Sequence, residues 1–256
     1  MKHKVGWGRS LVLLVWLWGV QGLAHSQDLL VSAAASLADA LNAIKPRFEA
    51  AHAGTTVHFN FGASGALSRQ IEAGAPVDLF VSAARGQMDR LQQRQLIVPG
   101  TRVDLLSNEL VLIAPLNAPS ALAGFSDLPR TSRIALGDPG FVPAGEYAQQ
   151  TLTALQLWTE LQPKFIYGQD VRQVLEYVAR GEVDAGLVFA TDAALLPQQV
   201  KILARAPQGS HVPIVYPAAQ IAGAAHPELA AAFLHMLGQP DSCHIFQHYG
   251  FACLAP

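Results

Sequence analysis

Residues 30–41 read Leu-Val-Ser-Ala-Ala-Ala-Ser-Leu-Ala-Asp-Ala-Leu, an apolar run that stops at Ser36 and passes directly into helix periodicity. This pattern predicts a strand-to-helix junction with Ser36 as the N-cap of the helix. The first backbone N–H groups of a helix lack partners within it and carry about half a positive charge, so such a junction can hold an anion. Most N-cap serines only cap their helices, so a single junction does not establish a binding site.

Short β-rich segments alternate with helical patterns along the rest of the chain. The predicted strands are 29–31, 57–61, 78–82, 110–114, 134–136, 165–167 and 186–189. Two predicted helix faces are Leu37, Leu41, Ile44 and Phe48, and Val171, Val174, Leu175 and Val178. Pro46 is expected to kink or end the first of these helices. The alternation predicts an α/β fold with mixed or mostly parallel sheets flanked by helices.

Residues 1–24 have the features of a secretory signal peptide. Lys2, Lys4 and Arg9 precede the apolar stretch 11–20, and Gly22-Leu23-Ala24 fits a cleavage site. The apolar stretch is shorter than the roughly 20 residues of a membrane-spanning helix, so cleavage is expected. The remaining 232 residues hold 14 basic and 19 acidic side chains, a formal charge of −5. This charge and the lack of a basic patch argue against a nucleic-acid partner.

The chain is predicted to form two lobes. Residues 105–117 have the pattern of a strand that leaves the first unit, and residues 212–218 that of a strand that returns to it. Two crossings are typical of lobes that close on a ligand. The predicted first lobe is residues 25–107 plus 216–256, and the second is residues 108–215.

Three further junctions resemble the one at Ser36. Ser64 lies between Gly62 and Gly65, after the alternating strand 57–61 and before a helix. The Pro- and Gly-rich segment 137–147 precedes another helix start, and Asp170 is a good N-cap for the helix that follows it. For either of the last two alone, ordinary capping is the simpler explanation. Four such junctions together favour an anion site.

The sequence also contains partial patterns of a serine hydrolase and of a cation site. A hydrolase elbow needs the pattern G-x-S-x-G, but Ala66 stands where the last glycine belongs, which argues against Ser64 as a nucleophile. His244 and His248 are spaced i, i+4, as in some metal sites, but no acidic or Cys-rich cluster completes such a site. Neither an enzyme nor a cation site is therefore expected.

Cys243 and Cys253 are the two cysteines of the chain. An even number of cysteines in an exported chain favours a disulfide, whereas two buried free thiols are the alternative. A bond between them would tie the last helix to the terminal segment, and closing so short a loop stabilises by about 2–3 kcal/mol.

Several strings together resemble the periplasmic molybdate-binding proteins of ABC transporters. They are residues 33–37 (AAASL), 69–83 (RQIEAGAPVDLFVSA), 137–148 (GDPGFVPAGEYA), 170–172 (DVR) and 245–251 (IFQHYGF). The resemblance runs through essentially all of the chain after residue 24. It implies a type II periplasmic binding fold, in which two α/β lobes are joined by two crossing strands and hold one tetrahedral oxyanion in the cleft.

The resemblance also implies a ligand set. Ser36 and Ser64 would bind molybdate through backbone N–H and hydroxyl groups, and Ala144 and Val171 through backbone N–H groups. Many members of the family carry a tyrosine hydroxyl at the position of Phe189, so that donor is expected here either to be lost or to be supplied from elsewhere, by Thr191 or a water molecule.

The function implied is capture of molybdate, and of tungstate, by a monomeric periplasmic protein that needs no cofactor. The protein would deliver the anion to an ABC permease in the inner membrane. A different oxyanion such as sulfate is the alternative, because sulfate is also a dianion without a proton and Phe189 removes one donor. An exported serine hydrolase that uses Ser64 is the other alternative.

Overall fold

The computed structural model describes residues 2–3, 27–118 and 122–254. Apart from residues 2–3, the predicted signal peptide and its cleavage site lie outside the described residues. No helix in the described part of the chain is long and apolar enough to span a membrane.

Strands and helices alternate along the described residues. The strands are β1 (Gln27–Ala34), β2 (Thr55–Gly62), β3 (Leu79–Val81), β4 (Val103–Ser107), β5 (Leu110–Pro115), β6 (Ile134–Gly137), β7 (Phe165–Gly168), β8 (Ala185–Phe189), β9 (Val200–Arg205), β10 (Val215–Gln220) and β11 (Ala252–Cys253). The α-helices are α1 (Ala38–Ala51), α2 (Ser64–Glu72), α3 (Arg85–Gln93), α4 (Pro143–Ala154), α5 (Trp158–Leu161), α6 (Val171–Ala179), α7 (Ala190–Ala193), α8 (Pro227–Leu237) and α9 (Pro240–His248). Short 3-10 helices cover Ala35–Leu37, Phe125–Arg130 and Gln162–Lys164.

The strands form two mixed sheets. The first sheet has the order β11-β4-β10-β3-β1-β2, and the second has the order β7-β6-β8-β5-β9. β1 pairs in parallel with β2 and β3, and β6 pairs in parallel with β7 and β8, while the other pairings are antiparallel. We call the first sheet with its helices lobe 1 and the second sheet with its helices lobe 2. The predicted α/β class and two-lobed fold are therefore confirmed.

The chain crosses between the sheets at two places. β4 ends at Ser107 in the first sheet, and β5 begins at Leu110 in the second, so Asn108 and Glu109 lie at the first crossing. The sequence pattern predicted one continuous strand here, and the structure divides it into two. The return runs from the end of β9 at Arg205 to the start of β10 at Val215.

The apolar faces of α1 and α6 are buried as their spacing predicts. Leu41, Ile44 and Phe48 of α1 are fully buried, and Val174 and Val178 of α6 are equally inaccessible. Of the two outcomes expected at Pro46, a kink or a helix end, the helix end is wrong, because α1 continues to Ala51. Pro46 is exposed, so water can solvate the carbonyl that loses its hydrogen bond, while the buried residues on either side hold the helix in place.

The C-terminal segment completes lobe 1. β11 pairs antiparallel with β4, and α9 packs against α1. A disulfide joins Cys243 of α9 to Cys253 of β11, with the two Cα atoms 5.9 Å apart. The free-thiol alternative therefore does not describe this structure, and the end of the chain is tied to the first sheet.

Candidate functional site

A small cavity lies between the two lobes, at the carboxyl ends of their parallel strands. Ligands of α/β sheets typically bind at this edge. The cavity is lined by Ala34, Ala35, Ser36, Gly62, Ala63, Ser64, Ala83, Val142, Pro143, Ala144, Asp170, Val171 and Phe189. All five residues predicted to form the anion site, Ser36, Ser64, Ala144, Val171 and Phe189, are thus brought to one place.

The two serines occupy the lobe 1 side of the cavity. Ser64 is the first residue of α2, and its Oγ accepts a hydrogen bond of 2.9 Å from the backbone N–H of Ala83. Ser36 lies in the 3-10 turn between β1 and α1, and its Oγ is 3.0 Å from the hydroxyl of Tyr216. Both serines are buried. Each Oγ has one hydrogen-bond partner among the described residues, and a hydroxyl can make further hydrogen bonds.

Ser36 is not the N-cap that its sequence position predicted. The residue before α1 is Leu37, and no side chain caps the helix. The chain forms one 3-10 turn over Ala35–Leu37 first, which places Ser36 inside the turn and directs its hydroxyl to Tyr216. A tertiary contact has therefore replaced the local capping bond.

Helix starts form the lobe 2 side of the cavity. Ala144 is the second residue of α4 and Val171 the first residue of α6, where backbone N–H groups have no acceptor within the helix. Close packing places α4: a Cβ atom on Gly145 would lie 2.0 Å from the carbonyl oxygen of Gly137, so only glycine fits. Pro143 at the first position fixes φ without losing a needed N–H.

Asp170 caps α6, as predicted. Its Oδ1 accepts hydrogen bonds from the backbone N–H groups of Arg172 (2.8 Å) and Gln173 (3.0 Å). This carboxylate thus accepts from two N–H groups of the helix start but not from that of Val171, which lines the cavity. Among the described residues that line the cavity, Asp170 is the one ionisable residue, so none of them supplies a basic counter-charge.

Phe189 ends β8 and is fully buried. Its ring packs against Tyr147 and Tyr216, with centroids 6.2 and 5.9 Å away. The expectation that Thr191 replaces the missing hydroxyl is not supported, because Thr191 is not in the cavity lining and its Oγ1 accepts from Asn108 Nδ2 at 2.9 Å. Asn108 also reaches the hydroxyl of Tyr216 at 3.1 Å. Neither Asn108 nor Tyr216 lies in a sequence motif, so only the tertiary structure identifies them.

An ionic cluster beside the cavity connects the two lobes. Arg172 of α6 lies 2.8 Å from Oδ2 of Asp39 and donates a 3.2 Å hydrogen bond to the carbonyl of Ser36, both in lobe 1. Its Nε is also 2.6 Å from Oδ1 of Asp192, which is fully buried. Burial raises the pKa of Asp192 to about 7, although the Arg172 charge opposes this rise.

Three further contacts hold the cleft closed. The backbone N–H of Gly65 in lobe 1 donates to the carbonyl of Phe141 in lobe 2 at 2.9 Å, and the Arg69 guanidinium lies 4.1 Å from the centre of the Phe141 ring. The Tyr147 hydroxyl donates to the carbonyl of Ala83 across the cleft at 3.3 Å. The structure is therefore that of a closed lobe pair.

The structure gives no support to a serine nucleophile at Ser64 or to a cation site. In the described residues, the hydrogen-bond partner of Ser64 Oγ is a backbone N–H, and no histidine hydrogen-bonds to it as a triad requires. Across residues 27–118 and 122–254, no three His, Cys, Asp or Glu side chains come together as a metal site.

Comparisons with known proteins agree with this geometry. Residues 29–252 match the model of the family described as bacterial extracellular solute-binding protein. A Bacillus subtilis lipoprotein, YvgL, named as an ABC transporter substrate-binding protein, is 43% identical over 223 residues, which are 87% of this chain and 85% of the relative. The molybdate-binding protein ModA of Haemophilus influenzae is 37% identical over 234 residues, covering 90% of this chain and 91% of that protein.

Solved structures extend the comparison. The periplasmic molybdate-binding protein of Azotobacter vinelandii superposes with a TM-score of 0.77 at 26% identity, covering 89% of this chain and 99% of that one. The sulfate-binding protein SubI of Mycobacterium tuberculosis has the same TM-score at 16% identity, covering 90% and 88%, and this likeness concerns the fold alone. With a family match over residues 29–252, the chain belongs to the bacterial extracellular solute-binding proteins, which are binding proteins and not enzymes.

Proposed function

We propose that this protein captures molybdate in the cavity between its lobes and delivers it to an ABC permease. The observation that carries the proposal is the convergence of two serine hydroxyls and several helix-start N–H groups on one small cavity without a basic side chain. Molybdate is a tetrahedral dianion whose oxygens only accept hydrogen bonds. A set of neutral donors satisfies such an anion without a buried counter-charge.

The same donor set disfavours protonated anions. Hydrogen phosphate carries a proton that needs an acceptor, and a buried unpaired donor costs about 1–3 kcal/mol. Sulfate has no proton, so the donor set does not reject it, and only cavity size distinguishes it from molybdate and tungstate. The names of the relatives favour molybdate. The absence of a hydroxyl at Phe189 keeps sulfate as the second candidate.

The proposal includes the setting of the protein. We place it in the periplasm after removal of residues 1–24, as a monomer without a cofactor, beside a permease in the inner membrane. We also propose that lobe 1 comprises residues 25–107 plus 216–256 and lobe 2 residues 108–215, since β4 and β10 belong to one sheet and β5 and β9 to the other.

Thermal unfolding of the purified protein with sodium salts of molybdate, tungstate, sulfate and phosphate tests the ligand assignment. A ligand at 100 times its dissociation constant adds about 2.7 kcal/mol to the free energy of unfolding, which raises the midpoint by several degrees. Sodium chloride at equal ionic strength is the control. Molybdate and tungstate are expected to raise the midpoint most. A larger rise with sulfate would replace the assignment, and no rise with any of the four oxyanions would refute the oxyanion site.

A further inference from the structure

Behind Ser36 lies a chain of hydrogen bonds that does not itself line the cavity. The fully buried Tyr216 of β10 places its hydroxyl 3.0 Å from Ser36 Oγ, although the two residues are 180 positions apart. Asn108, at the first crossing between the lobes, places its Nδ2 3.1 Å from the same hydroxyl and 2.9 Å from Thr191 Oγ1.

The direction of these hydrogen bonds follows from the amide of Asn108. The backbone N–H of Glu109 donates to Asn108 Oδ1 at 2.8 Å, which identifies the other amide atom as Nδ2. The two protons of Nδ2 then go to Tyr216 and Thr191. Because the Tyr216 hydroxyl accepts from Asn108, its own proton has Ser36 Oγ as its acceptor among the described residues.

Two features keep this direction fixed. Burial raises the pKa of Tyr216 well above its usual value, so the hydroxyl keeps its proton. Tyr216 is also held on both sides by rings, with Phe189 5.9 Å and Phe251 5.4 Å away between centroids. The ring, and with it the hydroxyl oxygen, therefore has little freedom to move away from Ser36.

We propose that Asn108 and Tyr216 are positioning residues that direct the Ser36 hydroxyl proton into the cavity and so make Ser36 a donor to the bound oxyanion. This inference rests on the proposed function. The Ser64 hydroxyl is directed in the same way by one contact, because the backbone N–H of Ala83 donates to its Oγ. Both serines thus present O–H groups to the cavity, which suits an anion that only accepts hydrogen bonds.

Loss of the Tyr216 hydroxyl has two consequences. Ser36 Oγ no longer accepts a hydrogen bond from Tyr216, so its own proton is no longer directed into the cavity and binding of molybdate weakens. The freed Oγ can also accept a proton from a ligand, so the preference for molybdate over hydrogen phosphate declines. A purely structural role for Tyr216 would lower the affinity for both anions in proportion.

Calorimetric titration of the full chain with sodium molybdate tests this role in a double-mutant cycle. Tyr216→Phe is expected to weaken binding roughly 3- to 10-fold when Ser36 is present, the worth of one hydrogen bond. In the Ser36→Ala background the same change is expected to have no further effect. Asn108→Ala removes the amide at the other end of the hydrogen-bond chain and is expected to follow the same pattern. It is the second variant to measure if Tyr216→Phe folds poorly.

Tyr147→Phe is the matched control, because it removes another buried tyrosine hydroxyl, one that bridges the lobes and does not contact Ser36. It is expected to lower the affinities for molybdate and inorganic phosphate by the same factor, whereas Tyr216→Phe lowers their ratio. An equal loss from Tyr216→Phe with and without Ser36, or no loss at all, would overturn the positioning role. Wild-type protein that does not bind molybdate would instead overturn the proposed function itself.

Discussion

Phe189 adds an apolar ring to the lining of the cavity that holds Ser36 and Ser64. Its ring is buried against Tyr147 and Tyr216, and the Tyr216 hydroxyl reaches Ser36 instead of the cavity. No described side chain in the cavity lining takes over the hydroxyl that many molybdate-binding proteins carry at this position. Among the described residues, the proposed molybdate site therefore has one donor fewer than the resemblance implies.

Phe189→Tyr is expected to strengthen molybdate binding. A hydrogen bond to a charged group is worth about 1.5–3 kcal/mol, which corresponds to a ten- to hundredfold gain in affinity if the new hydroxyl replaces a water molecule. Calorimetric titration measures the change, and the unfolding midpoint without ligand shows whether the ring still packs. Unchanged affinity in a variant of unchanged stability would mean that the ring edge does not face the anion.

Asp192 is expected to make stability depend on pH. Burial raises its pKa from 3.8 to about 7, opposed by Arg172 and supported by Asp170 and Asp39. The folded state therefore binds a proton that the unfolded state releases, and this stabilising contribution, full below pH 3.8, is lost as pH rises to about 7.

Comparison of Asp192→Asn with wild type measures this contribution. The free energy of unfolding of the variant, measured by urea denaturation, is expected to decline less steeply over the same pH range. Asp39→Asn is the control, since it removes a different carboxylate that contacts Arg172 and keeps Asp192. Identical pH profiles for wild type and Asp192→Asn would contradict the pKa shift.

At the level of elements, the start of α2 both lines the cavity and touches the opposite lobe. Gly65 is the second residue of this helix, and a Cβ atom there would lie 2.5 Å from the carbonyl oxygen of Phe141 in lobe 2. Gly86 is the second residue of α3, also in lobe 1, and a Cβ atom there meets nothing within 4 Å. The two glycines occupy equal positions in helices of equal length but differ in what they face.

Gly65→Ala is expected to hinder closure of the lobes and weaken molybdate binding. Overpacking costs about 1–3 kcal/mol, so the affinity is expected to fall roughly 5- to 150-fold, while the free energy of unfolding without ligand changes less because the lobes can open. Gly86→Ala is expected to bind as wild type does. Equal affinities of Gly65→Ala and wild type would show that the ligand-bound state does not need this contact.

Elements were the part of the molecule that the sequence predicted well. Strand and helix positions follow from local periodicity, and Asp170 caps its helix because capping is a local interaction. Ser36 was expected to cap its helix in the same way, but its Oγ is hydrogen-bonded to the hydroxyl of Tyr216, 180 residues away. Pro46 was expected to kink or end α1, but the helix continues past it, because burial of Phe48 outweighs one lost hydrogen bond.

Across the whole molecule, the closed cleft depends on contacts that no local pattern encodes. Arg172 reaches Asp39 and the carbonyl of Ser36 across the cleft, and Asn108 joins the first crossing to β10 through Tyr216. The positions of the cavity residues were predicted from four helix starts and a resemblance. The polar groups behind them were not, because their partners come together only when both sheets and both crossings have formed.

The central claim is that Ser36 and Ser64 hold one molybdate anion between the lobes. Isothermal titration calorimetry of wild type, Ser36→Ala and Ser64→Ala with sodium molybdate tests it most directly. Ser68→Ala is the matched control, because this buried serine of α2 donates to the carbonyl of Gly65 and does not line the cavity. The account predicts one molybdate per wild-type chain, an affinity loss of about 1–3 kcal/mol for each cavity serine, and none for Ser68→Ala. Absence of saturable binding by wild type, or wild-type affinity in both cavity variants, would contradict it.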